Sequence, residues 1–260
     1  MIKYYVVDAF AEKLFSGNPA GVCILDSWLE TSQMQNIAAE NNLAETAFAV
    51  KNGDHYDLRW FTPGVEIDLC GHATLAAAFI IMKFVDEDAE RLDFHTKSGI
   101  LTVVKNGDLY EMNFPSRKPD KIDITSLMRQ SIDVDIQEAY LSRDLLLVVE
   151  SADQVRGLKP NLDIMKTIPE GFGLIVSAKG DDGADFVSRF FVPKGEVPED
   201  PVTGSAHATL IPFWSDRLGK KKMIAHQLSK RGGILYCEDL GDRVSMSGYA
   251  KLYLEGTINI

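Results

Sequence analysis

From Lys3 to Phe10 apolar and polar residues alternate with the two-residue period of a strand. The turn cluster Gly17-Asn18-Pro19-Ala20-Gly21 then leads into the apolar run Val22 to Leu25, which predicts a hairpin-like opening. Thr31 or Ser32 can cap a helix that runs to about Asn41, since Met34, Ile37 and Ala38 fall on one face at helical spacing. Strands are predicted from Glu45 to Val50 and from Tyr56 to Phe61, joined by the turn Asn52-Gly53-Asp54. From Gly71 to Phe84 there is almost no charge, so this helix is apolar all round and is expected to be buried. Asn106-Gly107, between Ile100 to Val104 and Leu109 to Phe114, is a strong two-residue hairpin signal, and Pro115 to Lys121 reads as a linker.

The second half follows the same plan. Strands are predicted near Tyr140 to Val149 and Gly173 to Ser177, with a helix near Asp153 to Ile168 between them and a strand from Phe186 to Val192 after them. A second apolar helix runs from Gly204 to about Leu218, and strands at Gly233 to Cys237 and Arg243 to Leu254 close the chain.

This parallel is also written in the residues. Arg59-Trp60-Phe61-Thr62-Pro63 followed by Glu66 has a counterpart, 130 residues on, in Arg189-Phe190-Phe191-Val192-Pro193 followed by Glu196. His-Ala-Thr-Leu follows in each copy, at His72 to Leu75 and at His207 to Leu210, the second shifted slightly further, as a short insertion around Glu199-Asp200-Pro201-Val202 would explain. A repeat at this distance means two copies of a domain rather than a solenoid. In each copy an acidic loop leads to a glycine that opens the buried helix, Gly71 and Gly204. Free amides and the helix dipole favour an anion at such a start, and glycine lets a ligand approach the backbone. Two such starts facing each other would hold an acidic substrate between two lobes.

Composition narrows the partner. The 260 residues exceed the usual size of one compact domain, with an ordinary 45% hydrophobic and 25% charged residues, so two lobes are expected. A formal net charge of −11 works against an extended nucleic-acid or membrane-surface role, which leaves a small molecule as the expected partner. The start of the chain lacks the features of a signal peptide, and no apolar stretch is long enough to span a bilayer. Cys23, Cys70 and Cys237 are too widely separated for a disulfide framework or paired metal ligands, which fits a reducing cytoplasm and no structural metal.

The chain resembles the PhzF family of phenazine-biosynthesis-like isomerases. The resemblance rests on Phe15-Ser16-Gly17-Asn18-Pro19-Ala20-Gly21, Asn42-Leu43-Ala44-Glu45-Thr46-Ala47-Phe48, Phe61-Thr62-Pro63, Leu69-Cys70-Gly71-His72-Ala73-Thr74 and Glu199-Asp200-Pro201-Val202-Thr203-Gly204-Ser205-Ala206, in order across nearly the whole chain. It implies an α+β fold of the diaminopimelate-epimerase type: two pseudo-symmetric lobes, residues 1–115 and 116–260, each a curved, mostly antiparallel sheet around a central helix, with the option that the last strand returns to the N-terminal lobe. It also implies a homodimer and no metal or organic cofactor. By motif the acid/base glutamate falls on Glu45, with His72 and Asp200 beside it in catalysis, and Asn18, Gly71, Gly204 and Ser205 contacting substrate.

Each of these residues has a plainer reading. Glu45 in an apolar strand could be an outward surface residue; the motif favours catalysis, with burial beside a second acid raising its pKa. His72 could simply cap its helix, Asp200 before Pro201 is a natural turn residue, and Ser205 can satisfy its own backbone while also meeting a ligand. Cys70 and His72 are expected to point apart, which leaves Cys70 a buried structural thiol. Arg59 and Arg189 are expected to pair with Glu66 and Glu196, and His55, His95, His207 and His226 to be surface or packing residues. Epimerases of this fold use a cysteine before each helix-opening glycine; here the second position is Thr203, too weakly acidic for that role. The reading is therefore an isomerase that moves a proton on a small carboxylate. A racemase and a non-catalytic binding protein are the alternatives.

Overall fold

A computed structural model of the chain describes residues 1–195 and 197–260. Its elements are β1 (Ile2–Ala9), β2 (Asn18–Leu25), α1 (Thr31–Asn41), β3 (Glu45–Asn52), β4 (His55–Phe61), β5 (Glu66–Ile67), α2 (Gly71–Phe84), β6 (Arg91–Thr96), β7 (Gly99–Asn106), β8 (Leu109–Pro115), β9 (Asp120–Ile122), α3 (Ser126–Ser131) and β10 (Ile136–Leu141). They continue with β11 (Leu145–Val149), α4 (Ala152–Gly157), α5 (Leu162–Met165), β12 (Leu174–Lys179), β13 (Phe186–Phe191), β14 (Glu199–Asp200), α6 (Gly204–Leu218), β15 (Lys222–Gln227), β16 (Gly233–Asp239), β17 (Arg243–Gly248) and β18 (Ala250–Ile258).

Two units divide the chain, one of Met1–Asn113 with Ser247–Ile260, the other of Phe114–Met246. In the first, β18 pairs with β1, β1 with β2, and β3 with β4, all antiparallel, while β2 with β3 and β4 with β6 are parallel. A parallel pair needs a crossover, and α1 and α2 are those crossovers. Alternation along the strands dresses both faces. Tyr4, Val6, Cys23, Leu25, Phe48 and Val50 pack with Met34 and Ile37 of α1. The opposite face carries α2, where Phe84 stacks on Tyr5. Residues 72–82 of α2 are all buried, as its lack of charge predicted.

The second unit repeats this wiring. β11 and β12 are parallel across α4 and α5, and β13 and β15 are parallel across α6, with β12 and β13 antiparallel between them. One face packs Leu145, Leu147, Val176 and Phe191 against Met128, Val155 and Met165 of the short helices. The other lies under α6, where Trp214 stacks on Phe186 and donates its indole N–H to Ser177 Oγ at 2.9 Å.

Several boundaries differ from expectation. Tyr140 to Val149 is two antiparallel strands, turned at residues 142–144, where Ser142 N–H donates to Asp144 O. The helix expected from Asp153 to Ile168 is two short ones, because Gly157 ends the first and Pro160, which cannot donate a helical bond, follows. Arg243 to Leu254 likewise divides between β17 and β18. The strands β6 and β15, absent from the sequence reading, are the return strands of the two long crossovers.

Candidate active site

β2 and β3 are parallel, so their starts lie at the same end of the sheet, with Glu45 opposite Ala20 and Asn18 as the first residue of β2. The loop before Asn18 is held tightly. Gly17 has φ +69°, and a Cβ there would stand 2.1 Å from Ala9 O, so only glycine fits. Buried Asp8 accepts the Phe15 N–H at 2.9 Å. That Asp8 shapes this loop was missed from sequence, although an acid within a buried strand was its signal.

Three expected residues meet in the first unit. His72 Nε2 lies 3.0 Å from Glu45 Oε2, and the Asn18 amide lies 3.2 Å from His72 Nδ1. The contact to Glu45 is one of charge rather than an aligned hydrogen bond, since Oε2 receives no well-directed donor. The His72 side chain is 7% exposed and that of Glu45 18%, so the pair is shielded yet open on the carboxylate side. Glu45 is therefore not an outward surface residue, and within its own unit its close neighbour is His72. His72 does not cap its helix: the cap is Cys70, with an extended backbone. That extended cap also overturns the expectation that Cys70 and His72 diverge, for Cys70 Sγ lies 3.6 Å from His72 Nδ1.

Burial opposes a charge on His72, but the Cys70 sulfur and the Glu45 carboxylate outweigh it and hold the imidazole pKa well above its usual value. Burial, with Glu45 nearby, pushes Cys70 up. Cys70 is thus a thiol at neutral pH. Asn18 suits either state of the ring: its amide N–H serves a neutral Nδ1, and its oxygen, turned inward, would accept from a protonated one. One ligand atom each of Glu45, Cys70 and His72 lies within 4.8 Å of the others, a set able to hold a soft divalent ion.

The other expected residues belong to the second unit. Asp200 Oδ2 accepts the Thr203 hydroxyl at 2.5 Å. Gln227, which sequence reasoning did not single out, donates to Asp200 O at 2.7 Å and accepts the Thr203 N–H at 2.9 Å. Ser205 is half-buried in the first turn of α6, and among the described residues its hydroxyl makes no bond to its own helix. A Cβ on Gly204 would meet only Met246 Sδ, at 3.4 Å, so packing does not by itself demand glycine there.

The geometry also corrects the repeat alignment. Glu66 pairs with Phe61 and Glu199 with Phe191, so the three extra residues of the second copy fall between Phe191 and Glu199, ahead of the place expected. Gly204 then matches Gly71, Ser205 matches His72, and His207 matches Thr74. Thr74 Oγ1 donates to Cys70 O at 2.6 Å, and His207 Nδ1 makes the same contact to Thr203 O at 2.7 Å. His207 is a packing residue, as expected. Arg59 pairs with Glu66 as expected, both contacts lying within 2.9 Å. Arg189 pairs with Glu199, and Glu196, the partner expected for it, lies outside the described residues.

The sequence profile of phenazine biosynthesis-like proteins matches residues 7–256. The chain belongs to the PhzF family. An uncharacterized isomerase of Pseudomonas aeruginosa is 45% identical over 260 residues, covering 100% of this chain and 99% of its own. A second uncharacterized isomerase, of Halalkalibacterium halodurans, is 44% identical over 98% of this chain and 97% of its own. The crystal structure of a PhzF-family protein from Enterococcus faecalis superposes with a TM-score of 0.98 at 48% identity, covering 100% of this chain and 99% of that one. The PhzF-family chain described here shares that fold and is an isomerase. Its fold class is the α+β arrangement expected from sequence.

Proposed function

We propose that this isomerase shifts a proton, and with it a double bond, on a small carboxylate-bearing metabolite, with Glu45 as the single acid/base. The observation that carries the reading is the shielded contact between Glu45 Oε2 and His72 Nε2 at 3.0 Å. A shielded carboxylate held against an imidazole and open on its other side is placed to exchange a proton with a bound substrate. In the reaction the Glu45 carboxylate removes a proton from a carbon beside an unsaturated system, and the C–H bonding pair enters that system. The double bond moves, and the same proton returns to another carbon on the same face. Atoms and electrons balance with no redox partner. The cation on His72 and the amides at the start of α2, Gly71 and His72, would stabilise the negative charge that develops.

A two-base racemase is less well supported. The position matching Cys70 is Thr203, whose hydroxyl is already given to Asp200. Asp200 is assigned to catalysis, and Gly204 and Ser205 to substrate contact, on the strength of their motif alone. The same reading includes a homodimer in a reducing cytoplasm; family membership supports the first, and three buried free thiols agree with the second. Among the described residues no helix is long and apolar enough to cross a membrane. Sedimentation equilibrium returning the mass of one chain would remove the dimer from the proposal.

The decisive test is mass spectrometry of small carboxylates, cyclic diene acids among them, incubated in deuterated water with the wild type or Glu45→Gln. Isomer formation or deuterium uptake that vanishes in the variant supports the assignment. Equal uptake by both proteins removes Glu45 from its role. Interconversion of enantiomers would favour the racemase, and a bound ligand recovered unchanged and unlabelled from both would favour a binding protein.

A further inference from the structure

The sequence spacing of His55 and His95 suggested no metal site, but the fold brings them together. Parallel pairing of β4 with β6 sets Asp57 opposite His95, and His55 lies on the same face as Asp57, two residues before it. The two imidazoles stack with centroids 3.7 Å apart at 18°. One ligand atom from each of His55, Asp57 and His95 lies within 4.8 Å of the other two. We propose that His55, Asp57 and His95 form a Zn2+ site on the face of the first unit's sheet, joining β4 to β6 and separate from Glu45.

The outer contacts of these ligands support the assignment. A metal-binding histidine ordinarily gives its second nitrogen to a carboxylate, which fixes the ring and leaves the other nitrogen for the ion. His55 Nδ1 faces Asp54 Oδ1 at 3.3 Å in this way, and Nε2 points towards Asp57 Oδ1 at 3.5 Å. Asp57 is oriented in turn, since its Oδ2 accepts the Asn52 amide at 3.1 Å. The neighbouring Asp93 is otherwise engaged, by Thr102 and Arg91, and is not counted as a ligand. Two imidazoles and one carboxylate suit Zn2+, Co2+, Ni2+ or Cu2+ rather than Mg2+ or Ca2+. With bonds of about 2.0 Å, a tetrahedral ion holds N and O ligands about 3.3 Å apart. His55 Nε2 and Asp57 Oδ1 already stand near that separation, and the exposed His95 ring would turn out of its stack on His55 to bring its nitrogen to the same ion, with water as the fourth ligand. The ion would tie together strands that are 38 residues apart in sequence at Asp57 and His95.

Isothermal titration of the full chain with Zn2+ tests this, using His55→Ala, His95→Ala and Cys70→Ala, each checked for folding by circular dichroism. Because His95 is exposed and His55 only half-buried, both histidine variants are expected to fold. The expected result is one Zn2+ bound by the wild type and by Cys70→Ala, with affinity lowered about tenfold or more in both histidine variants. Excess Mg2+ should not compete, and Zn2+ should raise the melting temperature of the wild type but not of His95→Ala. No binding by the wild type, binding unchanged in both histidine variants, or loss of binding in Cys70→Ala alone would each overturn the proposal.

Discussion

The two central helices begin alike and end up chemically different. Each opens with a glycine behind an extended cap residue and returns a side-chain bond to the cap carbonyl one turn back: Thr74 to Cys70 in α2, His207 to Thr203 in α6. Around the first start stand Glu45 and His72. At the matching places of the second stand Gly173 and Ser205. Strand register makes this equivalence, since Thr46 opposes Phe61 and Leu174 opposes Phe191. A Cβ on Gly173 would lie 2.4 Å from the Phe190 ring, which occupies the space a side chain would need in the second copy. One copy of the repeat therefore carries a carboxylate–imidazole pair, while the matching place in the other is filled by packing.

The sharpest way to break this comparison is Glu45→Gln, expected to lower turnover about a thousandfold with the fold retained. An equal loss in Ser205→Ala, where a drop below about tenfold is expected, would erase the asymmetry.

His72 and His207 provide the next test, because burial opposes a charge on both and only His72 has neighbours that outweigh it. Among the described residues His207 has no carboxylate partner, and burial pushes it down to about 4. Between pH 6.5 and 4 the unfolded chain holds a proton that the folded chain does not, so stability falls as pH falls through that window, by about 3 kcal/mol in all. His207→Thr, which installs the residue that α2 carries, should remove this acid-side slope in urea melts. His72 is raised instead. Its stabilising contribution is fully present below about pH 6.5 and fades as pH rises through its folded-state value. A His72→Gln variant should lose about tenfold in turnover and lie closest to wild-type stability at alkaline pH.

The smallest expected effect concerns what the copies share. Arg59–Glu66 and Arg189–Glu199 are both forked pairs beneath an aromatic contact, to Phe61 and to Phe191. Arg59 and Lys97 hold Glu66 down at about 2, so its contribution is present above about pH 4.3 and is lost as pH falls towards 2. Double-mutant cycles should give each Arg–Glu pair a coupling near 1 kcal/mol. A coupling present in only one copy would show that the Arg–Glu pair is not common scaffolding.

Legibility followed the range of the interactions concerned. The long apolar helices, the Arg59–Glu66 pair at a strand end and the glycines at helix starts could be read because neighbours in sequence determine them. The helix starts were matched correctly at Gly71 and Gly204, but the His-Ala-Thr-Leu copies were paired two residues out of step, since His207 imitates the text of His72 but the place of Thr74. Nothing local could show that Cys70 would touch His72, because an extended cap residue does not obey the spacing of the helix it precedes. Gln227 was hidden for a similar reason. It reaches Asp200 and Thr203 only because β15 returns beside β13.

By itself the sequence determined the repeated plan, the buried crossover helices and the candidates Glu45, His72 and Asn18, because periodicity and motif are properties of neighbouring residues. Tertiary structure decided their partners: the imidazole facing Glu45, the phenyl ring that fills its counterpart's place, and the stacking of His55 on His95. Those contacts depend on parallel strand register, which joins residues tens of positions apart and leaves no periodic trace along the chain.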